Sequence, residues 1–179
     1  MMVLNDGKLR LRPLEAGDLE RARVWVNDPE TAQALLRVLP VSQVEQQAWY
    51  EAICRDPSRL VWAAEAGGEH IGNCGFYHLD LLHRRAEAWF LVGVPTFRGQ
   101  GLGKAMTVLL AEYAFAGLGL NKLYLHVGAD NQRAINLYRS LGFSDEGLFR
   151  DEYFIRGAFR EVLRLALFAA DWRRRGPDK

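Results

Sequence analysis

A chain that sets glycine at 99, 101 and 103 in PTFRGQGLGKAM (95–106), between a strand-like and a helix-like apolar run, has few folds open to it. Giving up side chains on alternate positions lets the backbone turn tightly and approach a ligand closely. Upstream, RAEAWFLVGV (85–94) has the long apolar run expected of a central strand. Downstream, LGKAMTVLLAEYAFAGLGL carries helical periodicity through Phe115 and stops at Gly117. In a strand–glycine turn–helix unit the first helical amides have no partner within the helix and point outward, as an anion site. The helix dipole adds only ~0.3–1 kcal/mol near a surface, so backbone hydrogen bonds must carry most of such an affinity. Arg98 would add a full charge. The plain alternative is a glycine-rich connection with no ligand.

Two nucleotide-binding readings fail on spacing. A P-loop needs Ser or Thr after its Gly-Lys pair to hold magnesium, and Ala105 stands there. Its leading glycine position is held by Arg98. A dinucleotide fingerprint begun at Gly99 or Gly101 requires glycine at 104 or 106, which are Lys104 and Met106.

The rest of the chain reads as one mixed α/β domain with no internal repeat and no linker. KLRLRPL (8–14) alternates as a strand ended by Pro13, and Asp18 can cap a helix through Trp25 and Val26 that Asn27-Asp28-Pro29 closes. An apolar, irregular stretch follows, and then Ser42 and Glu45 have capping-box spacing for a helix through about Cys54. RLVWAAEA, Gly67-Gly68 and EHIGNCGFYHLD form a hairpin pattern. KLYLHV (122–127) is a strand, NQRAINLYRSLGF a helix closed by Gly142, and the last segment two strands joined near Arg156-Gly157. The domain is expected over 1–172, with a basic polar tail over 173–179.

Charge is nearly balanced, Lys plus Arg 23 against Asp plus Glu 22, which argues against nucleic acid as the main partner. No run approaches the ~18 apolar residues of a membrane span, and the leading MMVLNDGKLRLRPL has no signal-peptide core. Cys54 and Cys74 match no metal or redox spacing, so a reducing, cytoplasmic setting is expected. His78, Asp80 and His83 fit no established zinc spacing, and no metal is expected.

The helix at 131–143 places Ala134, Leu137 and Leu141 on one face with Tyr138 beside it, and Asn131 at a capping position. On spacing alone Tyr138 is an ordinary half-buried aromatic. Together, Arg98-x-x-Gly101-x-Gly103 and the Asn131/Tyr138 pair followed by Leu141-Gly142-Phe143 resemble the two cofactor segments of the GNAT superfamily of N-acetyltransferases. The resemblance spans nearly the whole chain. Its ends, LRLRPLEAGDL and EYFIRGAFREVLRLALF, look like the branch acting on ribosomal-protein N-termini, spermidine and certain amino sugars.

That resemblance implies a central mixed, mostly antiparallel sheet splayed to admit acetyl-CoA and flanked by helices. It implies that Phe90, Leu91, Val92 and Gly93 pair with the pantetheine arm. Arg98, Gly99, Gln100, Gly101, Leu102, Gly103 and Lys104 would hold the pyrophosphate, and Asn131 would contact the arm. Tyr138 would protonate the departing thiolate; a phenol near pKa ~10 and a thiol near ~8.5 are close enough for that transfer. A homodimer is a common family state. The reaction is direct attack of a neutral amine on the thioester, and neither cysteine resembles a nucleophile. A non-catalytic acyl-CoA sensor is the other reading, against which the Tyr138 hydroxyl argues.

The proton acceptor is open. Glu87, on the strand leading to the cofactor, is the first candidate, His126 the second and a water chain the third. Glu87 could instead pair with Arg84 or Arg85, and His126 could be a hydrogen-bonded core histidine. A lysine-like nitrogen costs about 4–5 kcal/mol to deprotonate at pH 7 and a peptide α-amine only about 1 kcal/mol. With no obvious strong base, a low-pKa amine such as an N-terminus or an amino sugar fits more easily. The stretch AQALLRVLPVSQ contains Arg37 and no acidic residue, only Asp28, Glu30 and Glu45 flanking it, which does not favour a polyamine.

Overall fold

The computed structural model describes residues 3–175; residues 1–2 of the leading segment and 176–179 of the expected tail lie outside the described residues. Strands β1 (Leu4–Asn5) and β2 (Arg10–Pro13) lead to helices α1 (Leu19–Asn27), α2 (Pro29–Ala34) and α3 (Gln43–Arg55). A meander follows: β3 (Leu60–Ala66), β4 (Glu69–Asp80) and β5 (Arg85–Val92). Then come α4 (Leu102–Glu112), β6 (Lys122–Gly128), α5 (Gln132–Ser140), the hairpin β7 (Ser144–Ile155) and β8 (Ala158–Phe168), and α6 (Ala169–Arg174). The strands make one sheet ordered β1-β2-β3-β4-β5-β6-β8-β7. Every neighbouring pair is antiparallel except β5 with β6.

Alternation divides the sheet into two covered faces. Trp62, Ala64, Ala86, Ala88, Leu123 and Leu125 face α4 and α5, packing with Met106, Leu110, Ile135 and Tyr138. Val61 and Ala63 face the other way, with Leu14, Leu19 and Ile53 and the half-buried Trp49, Tyr77 and Trp89; Leu91 meets Ala22 and Trp25. Strand β5 is thus covered on both sides, as its apolar run predicts.

Four local expectations change. Asp18 does not cap α1 with its side chain; it accepts from the Glu15 amide at 2.9 Å and from Arg12 at 2.7 and 2.9 Å, because a nearby guanidinium outcompetes a helix amide. The irregular stretch after Asn27 begins with α2, which Asp28 caps through the Thr31 amide and hydroxyl, both 2.9 Å away. Six residues are too few to show a period, so only Asp-Pro could have signalled it. In α5 the buried face is Ile135, Tyr138 and Leu141, with Ala134 and Leu137 at its edge. The expected tail is partly helical: α6 includes Arg173 and Arg174, and it docks through Trp172, 3% exposed.

The Ser42–Glu45 capping box forms in both directions and starts α3. Among the described residues no helix is long and apolar enough to cross a membrane.

Candidate active site

The site is made by a failure of pairing. Strands β5 and β6 run in register only at Arg85–Lys122, Ala86–Leu123 and Glu87–Tyr124. Beyond that they diverge, β5 staying with β4 and β6 with β8. Residues 88–92 of β5 therefore turn one edge of backbone donors and acceptors toward a widening split, which suits an extended amide-bearing chain. Helices α4 and α5 both start at the open end, so their N-terminal amides converge there.

The glycine turn behaves as its spacing requires. Gly99 and Gly101 have φ of 80° and 81°, and a Cβ on Gly101 would meet nothing within 4 Å, so the turn is left-handed and open there. Gly101 is the N-cap of α4, and the first amide bonded back into the helix is that of Ala105, to the Gly101 carbonyl at 3.1 Å. The amides of Leu102, Gly103 and Lys104 precede it. Gly103 has a different reason: a Cβ there would lie 2.8 Å from the Phe90 ring. Lys104 is exposed, and the Gln100 side chain donates to the Thr96 carbonyl at 2.7 Å.

Arg98 is placed differently from its expected role. Its guanidinium donates to Glu30 and to the Thr31 hydroxyl, both at 2.9 Å, and to the Val92 and Gly93 carbonyls at 3.2 and 3.5 Å. It ties α2 to the end of β5. The cation facing the glycine turn is Arg133 of α5, whose guanidinium lies 3.7 Å from where a Gly99 Cβ would stand. Sequence reading passed over Arg133, which lies inside the 131–143 segment but at none of the positions that carry its resemblance. The Val92 and Gly93 carbonyls being so engaged, the edge of β5 facing the split is mainly 88–91. Asn131 caps α5, its side chain accepting from the Ala134 amide at 3.1 Å.

Tyr138 and Glu87 lie on opposite faces of the split. Tyr138 is 8% exposed, packs between Phe90 and Phe143 at ring distances of 5.9 and 5.6 Å, and lines a narrow cavity with Ala88, Phe90 and Leu125 of the two diverging strands. Burial pushes its phenol above the ordinary range. Thiol chemistry has no candidate here: Cys74 is buried with its pKa raised by desolvation, and Cys54 lies on the last turn of α3.

On the other face, Glu87 and His126 prove to be one unit. Glu87 Oε1 stands 2.8 Å from His126 Nδ1, and Oε2 stands 2.8 Å from His78 Nδ1. Burial favours the neutral acid, but the two imidazole hydrogen bonds and charges outweigh it and hold Glu87 below the usual carboxylate range. An ionised carboxylate only accepts, so each ring donates its Nδ1–H, which leaves Nε2 as the lone pair whenever the ring is neutral. The His126 ring is steadied edge-on by Tyr124 and Phe149 at 5.8 and 5.6 Å. His78 reaches Glu87 from a bulge in β4, with left-handed backbone at φ 49°. Sequence raises His78 as a metal ligand and not as a partner of Glu87, since nothing in the residues announces the bulge. His83 pairs separately with Asp80 at 2.8 Å.

Such a split beside a glycine-capped helix, with a buried phenol on one face and a histidine–carboxylate pair on the other, defines an acyl-CoA-dependent transferase. The residues fit the cofactor: an open turn, converging amides and an unpaired strand edge. The Acetyltransferase (GNAT) domain matches residues 8–144, and the chain belongs to that family. It is similar to spermidine N(1)-acetyltransferase of Escherichia coli K12, 34% identical over 160 residues covering 89% of this chain and 86% of the relative. The structure of spermidine N-acetyltransferase from Vibrio cholerae with CoA and spermine superposes with a TM-score of 0.88 at 27% identity, covering 94% and 99% of the two chains. A dodecameric form of the V. cholerae protein gives 0.83 at 27% identity, covering 96% and 99%. The activity is that of an acetyl-CoA-dependent N-acetyltransferase acting on an amine, and the non-catalytic sensor reading is not favoured.

Proposed function

We propose that this enzyme acetylates a small primary amine, that His126 takes the amine proton at Nε2, and that Tyr138 returns one to sulfur. The observation that carries this is Glu87 held at 2.8 Å by both imidazoles on one face of the split, with Tyr138 on the other. Acetyl-CoA supplies an activated acyl thioester. As the amine nitrogen bonds to the acyl carbon, His126 accepts its proton and Glu87 stabilises the imidazolium. As the C–S bond breaks, Tyr138 donates to the departing sulfur and is reprotonated from solvent. Glu87, already hydrogen-bonded through both oxygens, serves as the positioning residue. The pyrophosphate would lie on the amides of Gly101 to Lys104, with Arg133 supplying the charge and the 88–91 edge holding the arm.

Following thiol release with acetyl-CoA and a panel of N-terminal peptides, amino sugars, aminoglycosides and polyamines tests this. Turnover of one amine class, lost in His126→Ala, supports the reading; unchanged turnover in that variant removes His126 from the role. The relatives named as spermidine N-acetyltransferases favour a polyamine as a second reading, which the same panel tests. Two unpaired cysteines, one buried, favour a reducing cytoplasmic setting.

Self-association is part of the same reading. Edge strand β7 and its partner expose Leu148, Phe149, Tyr153, Phe154 and Phe159, and the V. cholerae relative forms dodecamers. A dimer built on that hairpin is the smallest assembly that covers it. Sedimentation that stays monomeric at high concentration would contradict it.

A further inference from the structure

A cavity of about 240 Å³ opens beside α2, framed by Asn27, Gln33, Arg37, Leu39, Ile155 and Arg156. Its lining holds two charged side chains, both arginines, and no carboxylate. Helix α2 and the turn that closes it reach the ends of both diverging strands. Arg98 ties it to the end of β5, and the Leu36 side chain lies 3.5 Å from where a Gly128 Cβ would stand at the end of β6. The segment that frames the cavity therefore also reaches the ends of the two strands that form the split.

Both arginines are set in place by left-handed backbone. Leu36 has φ 55°, with its amide on the Gln33 carbonyl at 3.1 Å and the next amide, that of Arg37, on Ala32 at 2.8 Å: a Schellman closure that aims the chain at Arg37. Arg156 has φ 52° in the two-residue turn with Gly157 at 80°, and it donates to Gln33 at 3.1 Å. Strained non-glycine residues persist where surrounding structure requires them, and they cluster at functional sites. The flanking carboxylates are committed: Asp28 to Thr31, Glu30 to Arg98, Glu45 to Ser42. Arg37 stands near enough to Glu45 to help hold its carboxyl low, yet among the described residues no hydrogen bond or ion pair occupies the Arg37 guanidinium.

We propose that this cavity receives an oxyanion on the acceptor, so that the substrate is a small primary amine bearing a carboxylate or phosphate at its far end. The proposal rests on the amine-acetyltransferase reading above. Two guanidinium forks match an oxyanion and oppose a second ammonium, so the cavity selects against diamines as well as for the anion.

The test compares 5-aminopentanoate, 3-aminopropyl phosphate, 5-aminopentanol and cadaverine as acceptors, with acetyl-CoA binding measured separately by calorimetry. The expected result is a kcat/KM for one oxyanionic amine at least about tenfold above that for cadaverine, equivalent to ~1.4 kcal/mol. Which of the two leads distinguishes carboxylate from phosphate. In Arg37→Gln/Arg156→Gln the ratio falls toward one; because a ratio is read, a general loss of activity cancels, and the single variants serve if the double variant does not fold. Preference for cadaverine, or a ratio that survives the double variant, overturns the proposal. If no amine of the set turns over, calorimetry with glutarate and inorganic phosphate decides: saturable binding lost in the variant supports it, and no binding overturns it. Glutarate binding without acetyl-CoA binding would instead sink the acetyltransferase reading alone.

Discussion

On the proposed reading Tyr138 gives a proton and His126, paired with Glu87, takes one, and the surroundings of the two groups differ accordingly. Tyr138 sits among Phe90, Phe143 and Leu125, where burial keeps the phenol protonated and makes it a hydrogen-bond donor to developing charge rather than a stronger acid. Tyr138→Phe is expected to lower kcat by about 10²–10⁴-fold, the usual worth of general acid catalysis, with the acetyl-CoA Kd unchanged. Equal loss in kcat and in cofactor binding would show that the ring merely packs. Glu87 is ionised and paired, so it lends stability to imidazolium at His126. Removing the charge in Glu87→Gln makes that ring harder to protonate. The acid limb of the kcat/KM profile should then move to lower pH while the maximal rate falls. A profile that keeps its acid limb in place would exclude the coupling.

At the scale of elements, the two arginines near the glycine turn separate by the helix they serve. Arg133 belongs to α5 and overlooks Gly99, whereas Arg98 holds α2 against β5 from 67 and 68 residues away in sequence. Arg133→Ala is expected to weaken acetyl-CoA about 5–10-fold with little change in thermal midpoint. Arg98→Ala should show the reverse, a midpoint lower by about 2–4 °C per kcal/mol lost and a nearly unchanged Kd. Calorimetry and thermal melts of the pair check it; a larger loss of affinity in Arg98→Ala would restore the pyrophosphate role to that residue. The motif revealed that something basic belonged near the turn. It could not reveal which guanidinium, because Glu30 and Thr31 reach Arg98 only after α2 folds back on the sheet.

Across the whole molecule, a buried polar cluster links β2, the start of α1 and β4. Asp18 accepts from Arg12 at 2.7 and 2.9 Å and lies 3.3 Å from His70, whose other nitrogen meets Asn73 at 2.9 Å. Burial alone would raise the Asp18 pKa, but the hydrogen bonds from Arg12 and the Glu15 amide and the charges of His70 and Arg12 bring it below its ordinary value. A carboxyl depressed on folding contributes stability above the unfolded value near ~3.9 and loses it as pH falls through the lower folded value. Denaturant unfolding between pH 7 and 3 should therefore show a fall at the acid end that Asp18→Asn reduces. An equal slope in both proteins would mean that the cluster is not what titrates.

The order of strands and helices apart from β1, α2 and α6, the capping box at Ser42, the turn at Gly99–Gly103 and the Asn131/Tyr138 helix were legible in the residues, because each depends on neighbours within a few positions. Tertiary structure decided the rest. Nothing local says that β5 and β6 part after Glu87 and Tyr124, since that depends on β4 and β8 holding each strand from outside. The bulge that brings His78 to Glu87, nine residues apart in sequence, and the approach of His126, thirty-nine away, depend on strand register that no single segment encodes. Sequence alone supplied Glu87, His126 and Tyr138 as separate candidates; long-range packing set two of them in one hydrogen-bonded pair and the third on the opposite face of the sheet.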